Sequence, residues 1–275
     1  MQVFIKLSKL ILLAAVLAGC SKTDGEDRSV YKYDNYVDNY IKPEKLFSLF
    51  APIDGATANE ARDYDNLEIT LRFYPVGDET YSDGTRYSGE QVRQFWQDHF
   101  ICRSLKSTDD VIYDQPYNPE FNRIYDSLCV AHKDAGLKKT DYIGQFSYPV
   151  VFRRITLDMV SDAAYDAAHP AGTSLADILD VQFHSAKEFI ESGYVAPQAG
   201  TPESKGWCLG DGTTLTMPLY QFNNEYRKLV GGSFRFEFTK APDATSTHRF
   251  TIVYRDEDGR VLTSQMEPVT IQGGK

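Results

Sequence analysis

Residues 233–238 read SFRFEF, and this stretch decides the fold. Its three phenylalanines alternate with polar residues, which is the period-two pattern of a β-strand that buries one face. Phe250, Ile252 and Tyr254 repeat the alternation further along the chain. The Asp258-Gly259 pair is typical of a tight turn, so residues 260–271 are predicted to return as the last strand. The C-terminal region therefore predicts a β-hairpin.

Strands and helices are both predicted upstream of this hairpin. Residues 67–73, LEITLRF, alternate strictly between apolar and polar positions and predict a strand. Residues 148–160 are rich in β-branched and aromatic side chains and predict one long strand. Helix starts are indicated by capping boxes and by a cap followed by proline. The three predicted caps are Ser88 with Gln91, Asn118 with Pro119, and Ser185 with Glu188.

These elements together predict an α+β fold. We expect a β-sandwich-like domain with a C-terminal β-hairpin and two or three inserted helices, and an Ig-like topology is one form of it. Residues 61–275 are predicted to form this single globular domain, and residues 20–60 a tether and an N-terminal arm. Tyr33, Tyr36, Val37 and Tyr40 are spaced as on a helix, so we expect a short helix or an ordered arm that docks on the domain.

Composition narrows the classes of function. The chain has 275 residues, 42% of them hydrophobic, which is enough to fill a core without metal or disulfide bonds. Its formal net charge is −10 and no basic patch is evident, so nucleic acid is not an expected partner. The 18 tyrosines and 16 phenylalanines fit strand and core packing, although such rings also stack on sugars. Core packing is the simpler interpretation.

Residues 11–20 read ILLAAVLAGC and predict an export signal. Two lysines precede an apolar run that is too short for a spanning helix. Its end, Leu17-Ala18-Gly19-Cys20, resembles the lipobox of bacterial lipoproteins. The resemblance implies that residues 1–19 are a signal peptide and that lipid is attached to Cys20, where several acyl chains, at about 0.8 kcal/mol per buried methylene, would hold the protein on a membrane. The alternative is an ordinary signal peptide followed by a chance cysteine.

The residues after Cys20 refine the predicted location. Ser21 stands where an aspartate would resemble the inner-membrane retention signal of some lipoproteins, so we expect delivery to the outer membrane. Asp24, Glu26 and Asp27 resemble the acidic tether that directs Bacteroidetes-type lipoproteins to the cell surface. A solvated, unfolded tether would have the same composition for physical reasons alone. We expect a lipid-anchored protein on the cell surface.

Two C-terminal segments extend this resemblance. SFRFEFTKAP at residues 233–242 and THRFTIVY at residues 247–254 join the lipobox and the acidic tether. Together they resemble a group of uncharacterised Bacteroidetes-type surface lipoproteins. The resemblance supports the predicted location but supplies no activity and no catalytic residues.

Motifs that would mark an enzyme are missing from the sequence. It contains no HExxH, no CxxC pair, no phosphate-binding glycine loop and no GxSxG. The five histidines are not spaced to place two imidazoles on one helical face, so we predict no metal site, no cofactor and no catalytic residue. His99 lies on the apolar face of its predicted helix and is interpreted as a satisfied core histidine. The acidic residues 255–259 are interpreted as a hairpin turn rather than a Ca²⁺ site.

Three cysteines remain once Cys20 is assigned to lipid. Cys102 and Cys129 are the more local candidates for one disulfide, and three buried free thiols are the alternative. Cys208, flanked by Gly206 and Gly210, could act as a nucleophile with His248 as base, although a structural thiol is the simpler interpretation.

The function expected from these observations is binding at the cell surface. We predict an outer-membrane lipoprotein without catalytic activity that binds an extracellular glycan or protein. The alternative is an extracellular hydrolase acting on glycans or peptides through paired carboxylates or Cys208. A structural component of the cell envelope is a third possibility.

Overall fold

The computed structural model describes residues 35–52, 61–102, 118–137, 146, 148–198, 207–208, 212–225 and 227–274. Within these ranges the chain forms fourteen strands and four α-helices. The predicted α+β class is confirmed, with most strands in curled antiparallel sheets. The predicted signal peptide and the lipid attachment site at Cys20 lie outside the described residues.

The elements follow one another along the chain with strands predominating. The helices are α1 Gly89–His99, α2 Pro119–Ala131, α3 Lys187–Glu191 and α4 Leu219–Asn224, with a 3-10 turn at Tyr64–Asn66. The strands are β1 Asn39–Ile41, β2 Phe47–Pro52, β3 Leu67–Arg72, β4 Phe100–Cys102, β5 Val150–Val151, β6 Ile155–Ser161, β7 Leu179–Ser185, β8 Trp207–Cys208, β9 Gly212–Pro218, β10 Val230–Phe238, β11 Ser246–His248, β12 Phe250–Asp256, β13 Val261–Gln265 and β14 Val269–Ile271. No helix in the described ranges has the length and apolar character needed to traverse a bilayer.

The SFRFEF stretch forms β10, the central strand of a nine-stranded main sheet. One edge of β10 pairs with β7, which continues through β9 to β8. The other edge pairs first with β5 and then with β3, so the sheet divides there towards β1 and β4 on one side and β2 on the other. Phe234, Phe236 and Phe238 are all buried, as the alternation predicts.

A glycine pair allows the main sheet to divide. Between Val230 and Phe234 the β7 register shifts, so β10 carries extra residues there. A Cβ on Gly231 would lie 3.2 Å from the Tyr148 Cβ, and one on Gly232 would lie 3.2 Å from the Pro149 carbonyl oxygen. The absence of side chains therefore lets the two arms of the sheet approach β10 closely.

A second sheet of three strands, β13-β12-β6, contains the predicted C-terminal hairpin. Its turn is closed by Asp256, whose Oδ1 accepts the N–H groups of Asp258 and Arg260 at 3.0 Å each, and Gly259 has φ +83°. The interpretation of residues 255–259 as a polar turn therefore describes the structure. The predicted last strand is divided: β13 pairs with β12, whereas β14 pairs with β11.

Aromatic side chains join the two sheets. The rings of Phe73 and Tyr254 lie 5.2 Å apart, and those of Phe238 and Phe250 also 5.2 Å. These residues belong to one core cluster that draws on both sheets. The largest fully buried side chains in the described residues are all tyrosines or phenylalanines. The aromatic content of the sequence is thus used largely for packing.

Two of the three predicted helix caps are confirmed. Ser88 and Gln91 form both bonds of a capping box at α1, and Asn118 accepts the N–H groups of Glu120 and Phe121 at α2. The third prediction is wrong. Ser185 ends β7, and α3 begins after Ala186 without a side-chain cap. The alternation of β7 continues through Ser185, and strand pairing outweighs the local capping pattern.

Two further predictions change in detail. The long strand expected at residues 148–160 is two strands, β5 and β6, that lie in different sheets. Tyr33 of the predicted arm lies outside the described residues. The part containing Tyr36, Val37 and Tyr40 is ordered, as one of the two alternatives predicted, but it is not a helix: Tyr40 lies in β1 and Val37 forms a bridge to Phe146. All three side chains are fully buried, and β1 lies between β4 and β5. Residues 35–52, assigned to the arm from sequence, thus contribute β1 and β2 to the main sheet.

Candidate functional site

The outer face of the main sheet is a polar surface built by several strands. Along β3, β7 and β10, alternate residues point into the core, and the residues between them point to this outer face. Strand register then places polar side chains from neighbouring strands side by side. We call the following set the polar face: Glu68, Thr70, Asp180, Gln182, Thr216, Arg235 and Glu237.

The first row of the polar face carries hydrogen-bonding groups. Thr216, Gln182, Arg235 and Thr70 lie opposite one another on β9, β7, β10 and β3. The Gln182 amide donates to the Thr216 hydroxyl at 3.3 Å. Thr70 is buried, so the row presents hydroxyl, amide and guanidinium groups in one line across three strands, which is a chemistry suited to polar ligands.

The second row is acidic. Asp180, Glu237 and Glu68 lie directly opposite one another on β7, β10 and β3. Like charges in such positions repel, and Arg235 offsets the repulsion. Its Nη2 lies 3.1 Å from a Glu68 oxygen and its Nε 3.0 Å from a Glu237 oxygen. Two carboxylates thus share one guanidinium.

An aromatic corner adjoins these rows near the glycine pair. The rings of Tyr148 and His184 stack with centroids 4.2 Å apart and an angle of 17° between them. The His184 Nδ1 lies 3.3 Å from the Thr214 hydroxyl. Gly231 lies beside both residues, since a Cβ there would be 3.2 Å from the Tyr148 Cβ and 3.4 Å from the His184 Cβ. The corner extends the polar face with two half-buried rings.

The structure does not assemble the predicted alternative of Cys208 with His248. His248 lies in β11 and is fully buried, with Nδ1 2.9 Å from the Ser161 hydroxyl and Nε2 2.7 Å from the Ser246 hydroxyl. Both ring nitrogens are therefore occupied. Burial also lowers the pKa of His248, which disfavours proton uptake. Cys208 lies in β8, a strand of the main sheet to which β11 does not belong.

A second group at the end of α2 has the residue types of a nucleophilic site, and sequence reasoning did not single it out. Cys129, His132 and Asp134 follow one another closely in sequence. Burial raises the pKa of the Cys129 thiol to about 12, and burial lowers the pKa of His132 to about 4. Neither shift suits a thiolate nucleophile with a basic histidine. The group is better explained as core.

His99 differs from its predicted role as a core histidine. Its side chain is 27% exposed, and Nδ1 lies 3.5 Å from a Glu44 oxygen. The ring packs against Phe95 at a centroid distance of 4.3 Å. His99 is therefore an edge residue that joins α1 to the segment before β2.

Cys102 and Cys129 are both buried and free in the structure. Register explains why they do not meet. Cys102 lies opposite Asn39, whereas Tyr40, on the other face of β1, donates its hydroxyl to the Cys129 sulfur at 3.9 Å. The two thiols thus lie on opposite faces of the β1–β4 pair, and the alternative of free thiols describes this structure for both residues.

The described residues contain no group of three or more His, Cys, Asp or Glu side chains arranged to hold a metal ion. Comparisons of the chain with protein-family models, with curated proteins and with solved structures gave no match.

Proposed function

We propose that this protein is a lipid-anchored outer-membrane lipoprotein, exposed at the cell surface, that binds an extracellular ligand and does not catalyse a reaction. The observation that carries the binding role is the first row of the polar face, where Thr216, Gln182 and Arg235 align across three strands. Hydroxyl, amide and guanidinium groups in line provide both donors and acceptors for the hydroxyl groups of a glycan or for the backbone of a protein.

The proposed anchor depends on the sequence Leu17-Ala18-Gly19-Cys20. Its resemblance to a lipobox, together with the acidic residues that follow, supports a place among Bacteroidetes-type surface lipoproteins. An extended chain from Cys20 to Asn35 would span at most about 50 Å. The tether would therefore keep the domain close to the membrane while leaving room for the polar face to meet a ligand.

We also propose that the two sheets pack as a sandwich. The contacts of Phe73 with Tyr254 and of Phe238 with Phe250 support this packing, because each pair joins the main sheet or its margin to β12. An Ig-like topology would be a finer description of the same arrangement, with the β12–β13 hairpin at one edge.

One observation favours the alternative hydrolase. Glu68 and Glu237 lie directly opposite each other on adjacent strands, and paired carboxylates about 5 Å apart are what a retaining glycosidase requires. Both carboxylates, however, are engaged by Arg235. A glycosidase needs one of the two as a carboxylic acid that delivers a proton to the leaving group. The guanidinium between them can only donate hydrogen bonds, so it offers no acceptor to the O–H of such an acid. Binding is therefore the better-supported function.

The binding proposal is tested with the purified mature protein on a glycan array and against candidate surface proteins. Replacing both Gln182 and Thr216 with alanine should weaken binding of any captured ligand by about tenfold or more, since two hydrogen-bonding groups are removed. Thr263→Ala, an exposed threonine on β13, is the matched control and should bind normally. Equal binding by the double variant would refute the polar face as the site. Hydrolysis of a captured glycan that disappears in Glu68→Gln would instead establish the enzyme.

The anchor is tested with Cys20→Ala. Without the thiol the protein should lose its lipid and leave the membrane fraction, either as a soluble form or as an unprocessed precursor. A processed variant that stays with the membrane would contradict the proposed attachment.

A further inference from the structure

The connection between β6 and β7, residues 162–178, is organised around one histidine. His169 is 5% exposed, and each of its ring nitrogens meets a carboxylate. Nδ1 lies 2.7 Å from the Asp166 Oδ1, and Nε2 lies 2.8 Å from the Asp177 Oδ1. One imidazole thus bridges the beginning and the end of this connection, which we call the β6–β7 loop.

The two contacts determine the protonation state that this arrangement needs. An ionised carboxylate can only accept hydrogen bonds, and a neutral imidazole carries a single N–H. Both contacts can therefore be hydrogen bonds only when His169 is an imidazolium. Asp166 is held as a carboxylate, because its Oδ1 also accepts the N–H groups of Ala168 at 2.8 Å and His169 at 2.9 Å, and its Oδ2 pairs with Lys240 at 2.8 Å.

The partner on the other side is open to water. The Asp177 side chain is 65% exposed, so solvent stabilises its ionised form as well. Asp177 is also next to Ala176, whose carbonyl accepts the N–H of Tyr220 in α4 at 3.2 Å. A backbone hydrogen bond thus joins the residue beside Asp177 to the start of α4.

Charged groups on the neighbouring elements complete the network. Lys240 and Asp243 face the loop from the connection between β10 and β11, where Asp243 accepts the N–H of Ala167 at 3.0 Å. From β6, Asp158 accepts the hydroxyl of Ser174 at 2.6 Å. Tyr165 donates its hydroxyl to the Lys240 carbonyl at 2.6 Å, and burial raises the pKa of Tyr165, which keeps it neutral. These contacts do not depend on the protonation of His169.

We propose that His169 is a proton-dependent latch for the β6–β7 loop. The imidazolium holds Asp177 against Asp166, and loss of one proton breaks one of the two contacts. The buried and better-connected Asp166 keeps its hydrogen bond, so the exposed Asp177 is released and the backbone beside it loosens, while Ser174 and Leu175 stay bonded to β6. The latch is a property of the fold and does not depend on the proposed binding function.

The direction of the pH dependence follows from the same geometry. Desolvation of the ring lowers the pKa of His169, but hydrogen bonds and charge from Asp177 and Asp166 outweigh it and raise the pKa above the ordinary value. A base with a raised pKa in the fold contributes stability fully below about pH 6.5, and that contribution is lost as pH rises through the higher folded value. The latch is therefore closed below about pH 6.5 and opens as pH rises through the raised folded pKa.

The test combines NMR titration of the histidine rings with hydrogen exchange of the loop amides in the full mature chain. In the wild type, His169 should titrate at a midpoint above 6.5. Exchange at residues 176–178, corrected for its intrinsic pH dependence, should rise by up to about tenfold per pH unit between about pH 6.5 and that midpoint and should level off above it. A midpoint at or below 6.5, or exchange that does not change with pH, would overturn the proposal without any variant.

A matched pair of variants gives an independent test. In Asp177→Asn the amide can accept from the imidazolium or donate to the neutral ring, so the contact survives deprotonation and the pH dependence of exchange should largely disappear. Asp180→Asn removes a carboxylate three residues away and should leave the pH dependence of loop exchange as in the wild type. Unchanged pH dependence in Asp177→Asn would also refute the latch.

Discussion

The Asp134 carboxylate accepts the backbone N–H of Val37 at 2.8 Å through Oδ2, and its other oxygen accepts the N–H of Tyr36 at 2.7 Å. Asp134 is fully buried, and the Tyr194 hydroxyl donates to the same Oδ1 at 3.0 Å. Desolvation raises the pKa of Asp134, while the two backbone hydrogen bonds act in the opposite direction. One carboxylate thus fastens the segment that leads into β1 to the end of α2.

Asp134→Ala should destabilise the protein by about 2–5 kcal/mol, because two buried N–H groups lose their acceptor. Asp134→Asn should also be destabilising, since the amide can accept only one of the two bonds and turns a donor towards the other N–H. Urea unfolding monitored by circular dichroism measures both effects. Glu191→Gln, an exposed side chain at the end of α3, is the control and should stay within about 0.5 kcal/mol. A similarly small effect in Asp134→Ala would contradict the fastening role.

Gly212 at the start of β9 should be intolerant of any side chain. Its φ is +68°, and a Cβ there would lie 2.3 Å from the Ser185 carbonyl oxygen and 2.7 Å from the Phe146 ring. Gly84 also has a positive φ, +75°, but nothing lies within 4 Å of its would-be Cβ. Gly84→Ala should therefore cost only the backbone strain of about 1–2 kcal/mol, and Gly212→Ala clearly more. Equal unfolding free energies for the two variants would show that the close approach is absent in solution.

The regions that sequence predicts well are those specified by local signals. Ser88 with Gln91 and Asn118 with Pro119 satisfy their own helix starts, so α1 and α2 could be placed without any tertiary contact. The alternation in β3 and β10 likewise needs no partner to be recognised. Strand β7 alternates as clearly but is not among the predicted strands, and its last residue, Ser185, is assigned from sequence to a helix cap instead.

The relationships that sequence could not supply are those set by register and by sheet order. The polar face combines residues from β3, β7, β9 and β10, and only pairing decides that Gln182 lies opposite both Thr216 and Arg235. The docking of Tyr40 as part of a strand, despite its helical spacing from Tyr36, also depends on neighbours, because β1 is buried on both of its faces. Free thiols at Cys102 and Cys129 follow from the same register.

The free energy of unfolding should decrease in acidic solution because of His248. Burial lowers the pKa of this histidine, so below about pH 6.5 the unfolded chain takes up a proton that the folded protein excludes. Stability is therefore present above about pH 6.5 and declines as pH falls towards the lower folded pKa. Urea unfolding at several pH values between 4.5 and 7, an approximate range that brackets the ordinary histidine pKa, measures the slope. His248→Phe should be less stable throughout but should show a shallower slope, and an unchanged slope would refute this assignment.

Cys102 and Cys129 should react as hidden free thiols. Burial raises the pKa of Cys102 and of Cys129 to about 12 in each case, so a thiol reagent should modify them slowly in the native protein. In denaturant without reductant, both should be alkylated at once and appear in peptide mass spectra. Alkylation that requires prior reduction would show a disulfide instead. Cys102→Ser provides the control, because Cys129 should remain free in it.

The central proposal is a lipid-anchored protein displayed at the cell surface. Its most direct test is the accessibility of the domain to protease on intact cells of the native host. Protease is added to intact cells and to lysed cells, and the mature protein is followed by immunoblot beside a periplasmic marker. The proposal predicts digestion on intact cells while the periplasmic marker survives. Protection on intact cells, with digestion only after lysis, would contradict surface display and with it the binding of an extracellular ligand.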